Sequence, residues 1–284
     1  MSGITLTNIM RTNLLTLQNT QRQIGITKNR LATGLKVSSA IDDPQNFFQA
    51  QGLNNRANDL GRRLDGMGLG IKTIEAANKG IKGMTKILDS MSAIVKEAAD
   101  ATTPAARETL GTQFNNLRTQ LTTLAADSGF NGINLLGGNN LTVSFNETGS
   151  NTLSVIAVNY VTEPAGVSAA VATAGGADDN TNWAAATATN GNAAIAASET
   201  LVNTAISNLR TQAATFGSSL TLVRIREDFT KDMVDTLKAG ADGLVLADQN
   251  EEAANLLALQ TSQQLGIQAL SLAAQSQQGI LRLF

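Results

Sequence analysis

Across residues 53–95, Leu53, Ala57, Leu60, Leu64, Met67, Ile71, Ile74, Asn78, Ile81, Thr85, Leu88, Ser92 and Val95 recur at alternating steps of four and three. Since a helix turns once in about 3.6 residues, this heptad rhythm lays a single narrow seam along one long helix and excludes a strand. Asp42 and Asp43 before Pro44 predict where that helix begins. Acidic side chains there accept from amides that no preceding turn can satisfy, and proline presets the first helical angle. A helix over 44–100 is roughly 80 Å long at 1.5 Å per residue.

Thr103 and Pro104 repeat the device, and Leu110, Phe114, Leu117, Leu121 and Leu124 step by three or four to a stop near Ser128 and Gly129. A second helix folding back on the first is expected. From Asn139 the period becomes two: Leu141, Val143 and Phe145 alternate with Thr142 and Ser144, and another β-rich run reaches Tyr160, predicting a hairpin. Residues 164–191 are rich in Ala, Thr, Gly and Asn with few large apolar side chains, so they are expected to bury little and form a surface insertion. The three-four rhythm resumes from about Ala197 through Ile206, Leu209, Ala213, Phe216, Leu220 and Val223, whose natural partner is the first seam. Gly240 and Gly243 are expected to interrupt the chain before a last helix.

That last helix carries Leu256, Gln260, Gln263, Ile267, Leu270, Ala274, Gln277, Leu281 and Phe284 on one line, while Met10, Leu17, Ile24 and Leu31 recur every seven residues at the other end. Both lines are thin, and isolated helices are marginal in water, so both ends are expected to order against partners. We read Met10, Leu17, Ile24, Leu31, Leu256, Ile267, Leu270, Leu281 and Phe284 as an assembly seam. Leu53, Leu60, Leu64, Met67, Ile71, Ile74, Ile81, Leu88, Val95, Ile206, Leu209, Phe216, Leu220 and Val223 form the seam of the core helices. The expected fold is mainly α, a long coiled-coil-like helical bundle formed by the N- and C-terminal halves, with a small β-hairpin region and a short surface insertion. Its parts are 1–43 (terminal helix and connecting loop), 44–160 (core helices and hairpin), 161–196 (outer insertion), 197–240 (returning core helix) and 241–284 (C-terminal helix). Gly52, Gly61, Gly66, Gly68, Gly70, Gly80 and Gly83 lie inside the first core helix. Each costs roughly 1 kcal/mol relative to Ala, and close helix packing is expected to offset it.

The chain has no Cys and no His, which removes thiol nucleophiles, disulfides, imidazole bases and most zinc or haem sites. We expect no enzyme, cofactor or metal centre. A net charge of −2 lacks the basic field that nucleic-acid binding needs. No run of 18 or more apolar residues occurs and no charged, then apolar, leader opens the chain, so neither membrane insertion nor a cleavable signal is expected. The ends are complementary: the first 41 residues hold Arg11, Arg22, Lys28, Arg30 and Lys36 without an acid, and the last 40 hold Asp248, Glu251 and Glu252 against Arg282.

Sharper motifs dissolve on inspection. Gly66, Gly68, Gly70, Lys72 and Thr73 lack the Gly-Lys pair and preceding strand of a phosphate loop. Asp178, Asn180 and Asn182 match the first calcium-loop ligands, but Trp183 replaces the required Gly and Thr189 the closing Glu. Asp42 and Asp43 as an acid and base are better explained by capping. A membrane-surface helix wants cations along its polar face, and the C-terminal helix has only Arg282.

Residues 30–44, Arg-Leu-Ala-Thr-Gly-Leu-Lys-Val-Ser-Ser-Ala-Ile-Asp-Asp-Pro, closely resemble the N-terminal motif of bacterial flagellins. Residues 271–284, ending Gln-Gly-Ile-Leu-Arg-Leu-Phe, look like that family's closing segment, and Phe130-Asn131-Gly132 also matches. The likeness covers about 1–160 and 195–284 and leaves the insertion unplaced.

The resemblance implies a non-enzymatic subunit, exported unfolded through the type III export apparatus, that polymerises with other copies into the extracellular flagellar filament used for swimming. Subunits of that family meet head to tail, a contact that propagates instead of closing. It further implies a flagellar cap, hook-associated junction proteins and an export chaperone on the C-terminal helix as partners. A hook-filament junction protein of the same superfamily is the alternative, whereas a metalloprotease-bearing member would need histidines. The family's receptor-recognition arginines are missing from residues 88–94, Leu-Asp-Ser-Met-Ser-Ala-Ile, which predicts weak activation of the animal innate receptor. Ser and Thr within 166–198 are of the type that carries O-linked sugars in some members, a residue type that by itself assigns nothing.

Overall fold

A computed structural model describes residues 8–170 and 181–281. In order they form α1 (Asn8–Thr33), α2 (Pro44–Asp100), α3 (Pro104–Asp127), β1 (Leu141–Ser144), β2 (Thr152–Val155), α4 (Ala188–Val245) and α5 (Gln249–Leu281). The mainly helical class with one small hairpin agrees with the sequence pattern. The chain divides into two compact units, Met1–Ala57 with Asp235–Phe284, and Asn58–Val234.

Local chemistry sets the helix starts. Asp43 Oδ1 accepts the Asn46 amide at 3.1 Å and its carbonyl accepts that of Phe47 at 3.0 Å, so Asp43 caps α2 ahead of Pro44. Asp42 does something else. Its Oδ2 gathers the amides and hydroxyls of Ser38 and Ser39 at 2.9–3.1 Å, closing the preceding loop and not the helix. Thr103 caps α3, accepting from the Ala106 amide at 3.3 Å with Pro104 following.

In the unit Asn58–Val234, the heptad positions Met67, Ile74, Leu88 and Val95 of α2 are fully or nearly fully buried with Phe114 and Leu121 of α3 and Leu209, Phe216 and Val223 of α4. Leu53, in the other unit, and Leu64 and Leu220 are half-buried, while Leu60, Ile71, Ile81 and Ile206 are buried. The antiparallel hairpin pairs Leu141 with Val155 and Val143 with Leu153. Period two turns Leu141, Val143 and Val155 into the core. Between α3 and the hairpin, Phe130 and Ile133 exchange backbone bonds of 2.9 and 3.0 Å around Asn131 (φ 50°) and Gly132 (φ 78°). Two successive positive φ angles are what Asn-Gly tolerates and most residues do not.

Close packing accounts for only three of the seven α2 glycines. A Cβ at Gly70 would meet Val143 at 2.8 Å, one at Gly80 Leu136 at 2.7 Å, and one at Gly83 Leu124 at 2.8 Å. Nothing lies within 4 Å of the corresponding position at Gly52, Gly61, Gly66 or Gly68. Gly52 and Gly66 are exposed and Gly61 and Gly68 half-buried, and among the described residues no close approach at these four offsets their helix cost.

The described parts of the insertion, 161–170 and 181–196, depart most from expectation, because Val167, Ala170 and Trp183 are buried where composition suggested a solvated surface. Trp183 is 1% exposed, its ring 5.1 Å from that of Phe114, and its indole N–H donates to the Ser198 hydroxyl at 3.0 Å. Asn115 of α3 clamps Ala170 in both directions at 2.8 Å, and Arg118 Nε donates to the Val167 carbonyl at 2.9 Å. Buried Arg107 bonds the Ala101 carbonyl at 3.0 Å and Asn192 Oδ1 at 2.6 Å. Side-chain amides and guanidinium groups here do the joining that a run of large apolar residues does elsewhere.

The same packing moves a helix boundary. α4 begins at Ala188, ahead of the expected 197, since Asn190 and Gly191 read as breakers but Gly191 is where Arg107 and the Trp183 carbonyl approach; a Cβ there would sit 2.8 Å from that oxygen. Nor do Gly240 and Gly243 interrupt the chain. α4 runs on to Val245, with Leu237 and Ala241 buried.

Replacing Phe114 with Ala empties the centre of this core and the face of Trp183 together. We expect a loss of about 3–5 kcal/mol, measured by denaturant unfolding, with Trp183 fluorescence shifting to the red.

Candidate functional site

In the unit formed by the chain ends, α1 and α5 pack antiparallel. Arg30 Nη1 meets Glu252 Oε1 at 3.0 Å, the Gln21 and Gln263 side chains bond to each other, and Leu17 Cδ1 lies 3.0 Å from where a Gly266 Cβ would stand. The bare glycine is what lets α5 close on Leu17. Along α1 the inward line is Met10, Thr20, Ile24 and Thr27, all buried, with Leu17 and Leu31 half-buried. Thr20 needs no cross-helix partner, because its hydroxyl donates to the Thr16 carbonyl at 3.0 Å.

The residues read as an assembly seam thus divide. Met10, Leu17, Ile24 and Leu31 turn inward, Leu256 and Leu270 are half-buried on α5, and Ile267 is exposed. Leu281 ends α5, and Phe284 lies outside the described residues. A second apolar line was not visible as part of that rhythm. Leu257, Leu265 and Leu272 are 67, 61 and 71% exposed, and their steps of eight and seven put them on one face, roughly opposite the Glu252, Gln263 and Gly266 side that meets α1. On α1, Leu15 and Ile26 stand eleven residues apart on one outward line and are also exposed. Each terminal helix is therefore apolar on two faces, and the pair covers only one of each. Beside Ile26 and the Arg30–Glu252 bridge runs an open groove of about 550 Å³, walled across by Asn255 and Leu259.

The junctions at the base of the pair are tied by backbone. Gly34, at φ 72°, ends α1 with its amide on the Arg30 carbonyl at 2.8 Å. The Lys36 and Val37 amides both reach the Val245 carbonyl, at 2.8 and 3.3 Å, and the Ala247 amide reaches the Gly34 carbonyl at 2.9 Å. Asp248 caps α5, its Oδ1 accepting the amides of Asn250 and Glu251 at 2.9 and 3.2 Å. Acids in the first turn of α5 and Arg30 in the last of α1 sit where the helix dipoles favour them.

Other candidate chemistry does not assemble. Lys72 of the would-be phosphate loop bonds Glu75 at 3.1 Å within α2. Asp178 and Asn180 lie outside the described residues, and buried Asn182 uses its Oδ1 on the Ala184 amide at 3.0 Å. Among the described residues no group of three acids, His or Cys is placed to hold a metal ion.

Two outcomes follow from this geometry. Hydrogen bonds from Ser38, then Ser39, hold the Asp42 carboxyl below its ordinary value. A depressed carboxylate contributes order that is complete above the ordinary aspartate value and lost as pH falls through the depressed one. An NMR titration should place the Asp42 midpoint below that of an exposed aspartate, with the Ser38 and Ser39 amides shifting at the same pH. A double-mutant cycle on Arg30 and Glu252 should give a coupling under about 1 kcal/mol that shrinks with salt, because Arg30 is 40% exposed.

Comparison with known proteins fits this arrangement of ends. The model described as the bacterial flagellin N-terminal helical region matches residues 5–141, and that of the bacterial flagellin C-terminal helical region matches 200–284. Flagellin of Brucella melitensis is 30% identical over 100% of this chain and 99% of its own length. Flagellin FljO of Caulobacter vibrioides is 32% identical over 98% of each, and flagellin C of Rhizobium meliloti 28% identical over 95% of each.

Proposed function

The chain belongs to the bacterial flagellin family, and we propose that the outward lines of α1 and α5 are the surfaces through which it polymerises into the filament. It is a structural protein, not an enzyme, and its work is self-assembly into an extracellular flagellar filament. The observation that carries the assignment of the surfaces is the two-faced terminal pair: Leu257, Leu265 and Leu272 stay exposed after α1 has taken the other side of α5. Leaving such a face in water is costly, and a third helix removes the cost. In a homopolymer that helix comes from a sister copy, and where one copy offers its α5 line to the α1 line of the next without receiving the reciprocal contact, the interface is heterologous and propagates.

Export unfolded through the type III apparatus, a chaperone on the C-terminal helix, and contacts with the cap and hook-associated junction proteins belong to the same reading. The apolar face of α5, bare before assembly, suits such a chaperone. The near full-length likeness to proteins named flagellin supports a filament subunit over a junction protein.

Changing Leu257, Leu265 and Leu272 together to Ser should leave the monomer's helix content intact, because none of the three is buried. At roughly 1.5 kcal/mol per leucine removed from water, the critical concentration for assembly should rise about a thousandfold. Sedimentation and electron microscopy of the purified chain measure it. Unchanged filament growth would remove these residues from the interface.

A further inference from the structure

A cation is enclosed within the unit Asn58–Val234 without an acid to balance it. Arg107, in the first turn of α3, is only 7% exposed. Its Nε donates to the Ala101 carbonyl at 3.0 Å and its Nη2 to Asn192 Oδ1 at 2.6 Å, and both acceptors are neutral. None of the ion pairs among the described residues includes it. A guanidinium is in effect always protonated. A charge held out of water in this way is costly until an opposite charge joins it.

The two bonds leave the guanidinium unfinished. Nη1 makes no hydrogen bond, yet no buried side-chain nitrogen among the described residues lacks a partner, so Nη1 is accessible from outside. It lies against Gly191, where an added Cβ would collide with it. Arg107 lines a cleft of about 290 Å³, whose wall is otherwise largely apolar and small: Pro104, Ala185, Ala186 and Ala188. α3 starts at Pro104 and α4 at Ala188, so two helices turn their positive ends to this space. Opposing them, exposed Asp100 at the end of α2 stands on the same wall without pairing with Arg107.

We propose that this cleft binds a small organic monocarboxylate, held through Arg107. A carboxylate is planar and accepts from the edge of a guanidinium, with bonds stronger than those between neutral groups. The alanine methyls and the Pro104 ring suit a short carbon body, and the volume falls below that of sites for drug-sized ligands. Asp100 brings one negative charge to the same space, which disfavours doubly charged oxyanions such as sulfate. The bound acid supplies the counter-charge that the fold leaves out. The site takes nothing from the terminal helices and does not depend on the filament reading.

The test is an NMR titration of the full chain, dilute and unpolymerised, with sodium propionate, sodium sulfate or sodium chloride at matched ionic strength. The Ala186 and Ala188 amides and the Arg107 Nε–H should shift saturably with propionate, half-saturating on the order of 1 mM, and should not respond to chloride. Ala186→Leu, at an exposed position on the cleft wall, leaves the Arg107 bonds in place and should weaken binding about tenfold. Asp100→Asn removes the like charge and should tighten binding roughly threefold. Arg107→Gln should abolish it; where that variant does not fold, the Ala186 and Asp100 variants carry the test. Shifts that never saturate, or that are the same in a folded Ala186→Leu variant, mean an adventitious ion only and overturn the site. Sulfate binding as tightly as propionate overturns the carboxylate assignment, and so does an Asp100→Asn variant that binds no better than the parent.

Discussion

A helix whose apolar surface is only one seam wide needs a partner along its whole length, and this chain is built almost entirely of such helices. Within Asn58–Val234 the need is met internally: α2, α3 and α4 share Met67, Ile74, Leu88, Phe114, Leu209 and Phe216, with the hairpin and the insertion closing the sides. At the chain ends it is met only by half. α1 and α5 satisfy each other on one face and leave a second face of each to water. The difference between the two units is thus a difference in how many helices are available to each seam.

Polar side chains govern the geometry where apolar mass is thin. Asn115 and Arg118 pin the insertion through backbone oxygens and an amide, and buried Arg107 joins it through Asn192 Oδ1. Such bonds contribute modestly to net stability but are costly to leave half-made once buried, which makes them good at specifying a single arrangement.

The long seam of α2 was legible because burial along a helix imprints a period, and Leu60, Met67, Ile74, Ile81, Leu88 and Val95 are buried as that period requires. Thr103-Pro104 and Asn131-Gly132 were legible for a different reason: each residue type answers one local backbone demand. Where the reading went astray, the cause was tertiary. Trp183 is a single aromatic in a stretch of small residues, and no window of composition shows that Phe114, sixty-nine positions earlier, will cover it. Gly191 reads as a helix breaker until Arg107 is seen to need the space. Asp42 and Asp43 are indistinguishable as caps until the serines before them fold back. Leu257, Leu265 and Leu272 went unnoticed because the seam of Ile267 and Leu270 already explained the helix, and a second line at steps of eight and seven hides behind the first.

The backbone bridge joining residues 34–37 to 245–247 has a mechanical consequence. It ties the covalent strand leaving α1 to the one entering α5 at the same level, by three hydrogen bonds. Tension applied at either end is therefore divided between two strands before it reaches any side-chain packing. A joint that shares the pull across both legs resists peeling better than two separate linkers of the same length.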